Sequence, residues 1–269
     1  MKTLFPVIDT HCHIYPDKIA LKAAKGIGSF YDIGMHYDGR LDTLKAVSAR
    51  SHVVHSVIFS VATTPHQVHS INTFIAQNVR DGGGRFTGLG TLHPDSETME
   101  DDVKEIVSLG LKGVKLHPDV QQFPIDDPRG MRICELCDAY HLPLLIHTGD
   151  YRYDFSNVNR LIPILEAFPN LQVIGAHFGG WSLWAQAAEA LYKFDNLAVD
   201  SSSTFHWVSR DTAKKLFSLY GADRVLFGSD FPMWDPNDEI EYLLSLGLSD
   251  DELAQVFYKN AQKMFEITL

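Results

Sequence analysis

Histidine and aspartate side chains follow four short apolar runs of this sequence, and these side-chain types suit a divalent metal ion. His11 and His13 follow the first run, His147 and His177 follow two later runs, and Asp230 follows the last. Imidazole and carboxylate together suit Zn²⁺ and neighbouring first-row metals, whereas thiolate-rich or all-oxygen sets suit other ions. We therefore expect a site for one or two divalent ions, with zinc as the first choice.

The H-x-H pair is the strongest local part of this signal. Side chains two residues apart in a strand point the same way, so His11 and His13 can bind one ion while Cys12 faces the opposite side. A single histidine after a strand more often caps or hydrogen-bonds than binds a metal. The combination with the later residues favours a site, because unpaired polar groups crowded together are costly to bury.

Eight apolar runs alternate with segments of helical periodicity, which is typical of parallel strands joined by crossover helices. The predicted strands are Val7–Thr10, Ser56–Val61, Thr87–Leu92, Gly113–Leu116, Pro143–Ile146, Gln172–Ala176, Leu197–Asp200 and Val225–Gly228. The predicted helices are His66–Arg80, Met99–Leu109, Arg129–Tyr140, Val158–Ala167, Ser182–Leu191, Ser209–Leu219 and Asp250–Tyr258. We therefore predict an α/β protein, a single-domain (β/α)8 TIM barrel over residues 1–269, whose active site lies at the carboxyl ends of the strands.

Two segments depart from this regular alternation. Residues 15–50 are longer than one crossover helix and contain four glycines, so we predict a loop insertion there. Such loops often line an active site. After the helix that starts at Asp250, we expect a short turn around Asn260–Phe265.

Length and composition set the class of protein. The 269 residues match the roughly 250 of a single barrel, and no apolar run approaches the roughly 20 residues that span a bilayer. Pro6 and Asp9 interrupt the first apolar patch, so Met1–Ile8 is interpreted as the first strand and not as a secretion signal. Three cysteines favour reduced thiols and a cytoplasmic location, and we interpret Cys134 and Cys137 as helix-packing residues.

The charge balance indicates the kind of partner. A formal net charge of -11 opposes binding to nucleic acid, so we expect a small-molecule substrate, no nucleic acid and no membrane partner. Arg129 or Arg152 can still meet a substrate carboxylate, because a local field need not follow the net charge. Arg152 is the preferred contact, since a guanidinium can hold a carboxylate through two hydrogen bonds. A homodimer is compatible with the sequence.

Five motifs resemble those of the amidohydrolase superfamily, and most closely its amidohydrolase 2 branch, which contains proteins similar to aminocarboxymuconate-semialdehyde decarboxylase. The motifs are Asp9-Thr10-His11-Cys12-His13, Gly113-Val114-Lys115-Leu116-His117-Pro118, Ile146-His147-Thr148-Gly149, Ala176-His177-Phe178-Gly179-Gly180 and Phe227-Gly228-Ser229-Asp230-Phe231-Pro232. The resemblance extends over nearly the whole chain. It is specific for the superfamily but not for the substrate.

The resemblance implies roles for the strand-end residues. In mononuclear relatives, His11, His13, His147 and Asp230 match the metal ligands and His177 matches the catalytic histidine. In binuclear relatives, His147 and His177 hold the second ion, and a carboxylated lysine or a glutamate at the end of the fourth strand bridges the two ions. Lys115 occupies the bridging position; the alternative is an unmodified ammonium that pairs with Asp230 or with a substrate carboxylate. A charged lysine has no lone pair to bind a metal, so bridging needs the modification.

These roles predict hydrolysis of an amide, lactone or ester by metal-activated water. Asp230 is the candidate general base and His177 polarises the carbonyl. The runner-up is a non-oxidative decarboxylase of the same branch. A non-catalytic metal-binding barrel and a two-metal phosphodiesterase or nuclease are further alternatives. Secondary candidates, for which surface or packing roles are the simpler interpretation, are His93, His117, Tyr151, Trp181, His206 and Trp207.

Overall fold

The computed structural model describes residues 5–269, and its parallel strands form a barrel. Residues 1–4, part of the interpreted first strand, lie outside the described residues. The strands are β1 (Val7–His13), β2 (Val53–Phe59), β3 in two pieces (Phe86–Gly88 and Gly90–Thr91), β4 (Val114–Leu116), β5 (Leu144–Ile146), β6 (Val173–Gly175), β7 (Leu197–Asp200) and β8 (Val225–Leu226). Each strand pairs in parallel with the next along the chain.

Two hydrogen bonds close the barrel between its first and last strands. The amide of Thr10 donates to Phe227 O at 2.9 Å, and the amide of His13 donates to Phe231 O at 2.7 Å. The two pieces of β3 are joined at Leu89, whose amide donates to Ile58 O at 3.0 Å. The predicted single-domain eight-stranded barrel is therefore confirmed.

The helices follow the predicted pattern with small shifts at their ends. They are α1 (Asp17–Tyr31), α2 (Leu41–Arg50), α3 (Val68–Asp81), α4 (Met99–Ser108), α5 (Pro118–Gln121), α6 (Pro128–Ala139), α7 (Val158–Ala167), α8 (Trp184–Leu191), α9 (Arg210–Tyr220), α10 (Pro236–Leu244), α11 (Asp250–Ala254) and α12 (Asn260–Phe265). A π-helical stretch, Gln255–Lys259, joins α11 to α12. None of the helices in residues 5–269 is both long enough and apolar enough to span a bilayer.

Two of our expectations about irregular segments need correction. Residues 15–50, expected to hold an inserted loop, contain helices α1 and α2, with irregular backbone between them. The expected turn around residues 260–265 is helix α12, which continues directly from the π-helical stretch. For residues 15–50 the signal was a long segment with four glycines, which two helices joined by irregular backbone explain equally well.

Core packing fixes which end of the barrel carries polar side chains. Alternate strand residues form one buried cluster with α12, and its members include Ile8, Val57, Leu89, Leu145, Ile174, Ala261 and Phe265. The intervening residues pack against the surrounding helices, as do the buried thiols of Cys134 and Cys137. Because α12 packs against the strands at their amino ends, the carboxyl ends remain open for a site.

Candidate metal centre

The carboxyl ends of the strands bring the expected side chains to the floor of one cavity. His11, His147 and His177 are 1–3 % exposed, and Asp230 is 8 % exposed. His177 and Asp230 have φ values of 59° and 60°, a left-handed backbone conformation that L-residues rarely adopt. Strained backbone of this kind is typical of functional sites, where the surrounding structure holds it in place.

Asp200 orients the ring of His11. Nδ1 of His11 lies 2.8 Å from Oδ2 of Asp200, at the end of β7. A carboxylate accepts hydrogen bonds, so Nδ1 carries the ring proton and Nε2 carries a lone pair. A carboxylate behind a ligating histidine is the usual partner in protein metal sites.

Three ligand atoms converge at spacings that fit a shared ion. Oδ1 of Asp230 lies 3.4 Å from Nε2 of His11 and 3.6 Å from Nε2 of His13. Two ligands about 2.1 Å from one tetrahedral ion are about 3.4 Å apart. His177 also offers an atom close to those of His11 and Asp230. The residues present therefore fit a divalent ion.

His147 and His177 face each other beside these atoms. Nδ1 of His147 lies 3.0 Å from Nε2 of His177, and Nδ1 of His177 lies 3.0 Å from the carbonyl oxygen of Ser202. A carbonyl oxygen only accepts, so His177 is protonated at Nδ1 and its Nε2 carries a lone pair. On its other side, Nε2 of His147 lies 3.2 Å from the hydroxyl of Tyr31.

Burial keeps these imidazoles neutral. Loss of hydration, helped by Lys115 and neighbouring rings, lowers the pKa of His11, His13 and His147 well below the usual value. Burial also lowers the pKa of His177 to about 4. Neutral imidazole is the form that binds a metal, so none of the four rings has to lose a charge before it binds an ion at neutral pH.

Lys115 lies within the same cluster. Its side chain is fully buried, and its Nζ is 3.2 Å from Nε2 of His11. Burial lowers its pKa to about 8, although Asp200 and Asp230 act in the opposite direction. This position suits both interpretations of the lysine, since a carboxylated side chain would reach the cluster and an ammonium would face the two aspartates.

A second group of possible ligands adjoins the first. His117, Asp119 and His147 are buried and close together, and the rings of His117 and His147 stack with centroids 4.0 Å apart. Tyr31 lies against both rings, with its hydroxyl 2.8 Å from Nε2 of His117. The His147 ring is therefore shared between the two groups.

A family comparison identifies the class of protein. A family model described as amidohydrolase matches residues 8–267. The chain belongs to this family. The resemblance found in the sequence motifs is thus confirmed. None of the curated proteins matches this amidohydrolase.

Solved structures share the fold of this amidohydrolase at low sequence identity. An uncharacterised TIM-barrel protein of Bordetella bronchiseptica is 18% identical with a TM-score of 0.80, over 97% of this chain and 98% of that one. 5-Carboxyvanillate decarboxylase LigW of Sphingomonas paucimobilis is 17% identical with a TM-score of 0.73, over 98% and 100%. A dihydroxybenzoic acid decarboxylase of Polaromonas, with bound manganese, is 14% identical with a TM-score of 0.76, over 98% and 97%.

The two arginines expected near a substrate carboxylate are engaged elsewhere in the amidohydrolase. Arg152 donates through Nε and Nη2 to Asp150 and through Nη1 to the carbonyl of Phe30. Its guanidinium lies over aromatic rings, including that of Tyr31 at 5.1 Å, and it is not among the residues that line the cavity. Arg129 lies at the surface, paired with acidic neighbours. Neither arginine reaches the cluster in this structure.

The secondary candidates divide into two sets. His117 and Trp181 line the cavity. The others lie outside its lining: His93 is buried near Asp95, His206 contacts Glu239, and Tyr151 and Trp207 are exposed at the surface. The residues outside the cavity lining therefore have the packing or surface positions that were the simpler interpretation of the sequence.

Sequence reasoning missed Asp200 and Tyr31. Asp200 ends β7 and is followed by three serines, so the strand-end rule that found Asp230 applies equally to it. Tyr31 is the last residue of α1, inside the segment interpreted as a loop. It carried no strand-end signal, because a helix brings its side chain over the barrel mouth.

Proposed function

We propose that this amidohydrolase hydrolyses an amide, ester or lactone bond with the help of a divalent metal ion. The proposal rests on one observation: ring nitrogens with lone pairs and a carboxylate oxygen converge at the cavity floor. The ligands are His11, His13 and Asp230, with the facing nitrogens of His147 and His177 completing the set for one ion or two. A bound ion supplies Lewis acidity and lowers the pKa of water from 15.7 to about 7.

We propose Asp230 as the general base, and two hydrogen bonds support this choice. The hydroxyl of Ser203 donates to its Oδ2 at 2.5 Å, and Trp234 Nε1 donates to Ser203 Oγ at 2.9 Å. These bonds hold Oδ1 towards the cluster. From there the carboxylate can take a proton from the attacking water and deliver it to the leaving group.

The hydrogen bonds of His177 favour a ligand role over the carbonyl-polarising role that we expected from the sequence. Polarising a carbonyl requires a donor, whereas Nε2 of neutral His177 carries a lone pair, since Nδ1 holds the proton. A bound divalent ion, held by His177 with the other ligands, would supply the positive charge that stabilises developing negative charge on the carbonyl oxygen.

Replacing Asp230 by Asn tests the proposal. Loss of a general base typically costs about 10²–10⁴ in rate, so kcat for an identified substrate should fall by that factor while the fold persists. Metal content of the variant, measured by elemental analysis, separates loss of the base from loss of the ion. Asp235→Asn is the control, because that carboxylate contacts Tyr37 and Arg50 outside the cavity. Unchanged turnover in Asp230→Asn, or wild-type protein that binds no divalent ion, would refute the proposal.

Decarboxylation is the second candidate. Two of the compared barrels are decarboxylases, and an apolar cavity favours release of uncharged CO₂ from a charged carboxylate. Reaction in ¹⁸O-labelled water distinguishes the candidates: hydrolysis places label in an organic product, whereas decarboxylation leaves the organic product unlabelled and releases CO₂. We propose zinc as the bound metal because imidazole and carboxylate ligands suit it. The Polaromonas decarboxylase contains manganese, so elemental analysis of the purified protein should measure both metals.

A further inference from the structure

The cavity above the candidate metal centre has apolar walls. Its volume is about 600 Å³. One wall is a face of α1 formed by Ile19, Ala23, Ile27 and Phe30, spaced three or four residues apart so that they point the same way. Helix α3 and the irregular segment after α1 add further apolar lining residues, which are Ile33, Met35, Ile71 and Phe74.

The charged side chains that line the cavity are confined to its floor. Among the lining residues that the structure describes, Lys115 and Asp230 carry the formal charges, and both belong to the metal cluster. The polar residues among the wall residues are uncharged; examples are Thr63, Gln67 and Ser70. The guanidinium of Arg152 lies nearby but is already held by Asp150.

This distribution of charge restricts the substrate. A head group with negative charge or a polar carbonyl finds partners at the floor. A second charge on the substrate body would be removed from water without a partner, which costs several kcal/mol even after relaxation. The walls therefore select against substrates with two separated charges.

We propose that the substrate has a single carbonyl or carboxylate head group and an uncharged apolar body. At roughly 30 Å³ for each water-sized group, the cavity accommodates up to about 20 non-hydrogen atoms, so the body is an alkyl chain or a substituted ring system. The inference relies on the proposed function for the position of the head group at the metal. The apolar body is inferred from the walls alone.

Calorimetric titration of the zinc-loaded protein with straight-chain carboxylates tests the proposal. The probes are butanoate, hexanoate, octanoate and decanoate, each compared with the dicarboxylate of equal length. Each buried methylene contributes about 0.8 kcal/mol, so Kd should fall about fourfold per carbon. Dicarboxylates should bind at least about tenfold more weakly than their monocarboxylate partners. A Kd that does not change with chain length, or equal affinity for the dicarboxylates, would overturn the proposal.

A variant pair locates the binding face. Ile27→Lys places a cation on the cavity wall and should raise the affinity for octanedioate relative to octanoate. Leu21→Lys places the same charge on α1 at a half-exposed position that does not line the cavity, and it should leave this ratio unchanged. Circular dichroism checks that both variants fold. If Ile27→Lys does not fold, the wild-type titrations with mono- and dicarboxylates alone test the proposal. Equal ratios in two folded variants would contradict the assignment of this face.

The titrations also separate the two proposals. If the metal site fails, carboxylates will bind equally well with and without zinc, yet chain length will still matter. If the apolar-body inference fails, zinc will strengthen binding but chain length will not.

Discussion

Replacing Asp200 by Asn should weaken metal binding by changing the tautomer of His11. The buried carboxylate accepts four hydrogen bonds. Its Oδ1 accepts from the amides of His177 and Ser202 at 3.0 Å and from the hydroxyl of Ser202 at 2.5 Å. Its Oδ2 faces Nδ1 of His11 at 2.8 Å.

An asparagine at position 200 has one acceptor oxygen, so it can replace only one of the two carboxylate oxygens. Its carbonyl oxygen should take the place with three donors, which leaves the NH₂ group facing Nδ1 of His11. Two donors repel each other, which shifts the ring towards the tautomer with its proton on Nε2, the atom that faces Asp230 and the metal site. A protonated Nε2 has no lone pair for an ion.

The size of the effect follows from the lost bond. A hydrogen bond to a charged group contributes about 1.5–3 kcal/mol, and tenfold in affinity corresponds to about 1.4 kcal/mol. We therefore expect zinc affinity to fall by about 10–100-fold, the usual range for loss of a partner behind a metal ligand. Competition with a chromophoric chelator measures this affinity, and thermal unfolding shows whether the fold persists.

Asp9→Asn is the matched control. Asp9 is equally buried and accepts from the backbone amides of His11 and Ser229, but its second oxygen faces the hydroxyl of Ser229. A hydroxyl can rotate to accept from the new NH₂ group, whereas an imidazole must change tautomer. Zinc affinity should therefore change much less in this variant. The reasoning fails if Asp200→Asn binds zinc as tightly as the wild type or if both variants lose the same affinity.

Two further predictions concern stability. Glu239 is buried and contacts His206, and burial raises its pKa to about 7. Between about pH 4.5 and pH 7 the folded protein therefore keeps a proton on Glu239 that the unfolded chain has lost. The free energy of unfolding falls as the pH rises through this range. Glu239→Gln should remove this penalty, stabilising the protein by up to about 3 kcal/mol in urea denaturation at pH 8 and hardly at pH 4; an equal effect at both pH values would contradict this account. Gly149→Ala should destabilise by at least about 2 kcal/mol, because its φ is +84° and a Cβ would lie 2.6 Å from the backbone of Trp181. Gly110→Ala is the control, with φ +74° and open space, and should cost only about 1 kcal/mol; equal losses would show that the contact with Trp181 is unimportant.

The sequence by itself determined the barrel and the main residues of its floor. Apolar runs of strand length, separated by helical periodicity, have few packing solutions, and eight of them favour a closed barrel. Strand alternation placed His11 and His13 on one side, and the strand-end rule located His147, His177 and Asp230 at the same end. These inferences depend only on local periodicity and chain order, which a sequence records.

The tertiary structure decided which partners these residues have. Asp200 contacts His11 across 189 positions of sequence, and Tyr31 reaches His147 from a helix that the sequence suggested was a loop. Arg152, which we expected to meet the substrate, is instead held by Asp150. Hydrogen-bond partners fix tautomers and free lone pairs, and such partners depend on the distance between elements that are remote in the chain. Local periodicity assigns a side chain to a face, but only packing decides what that side chain meets there.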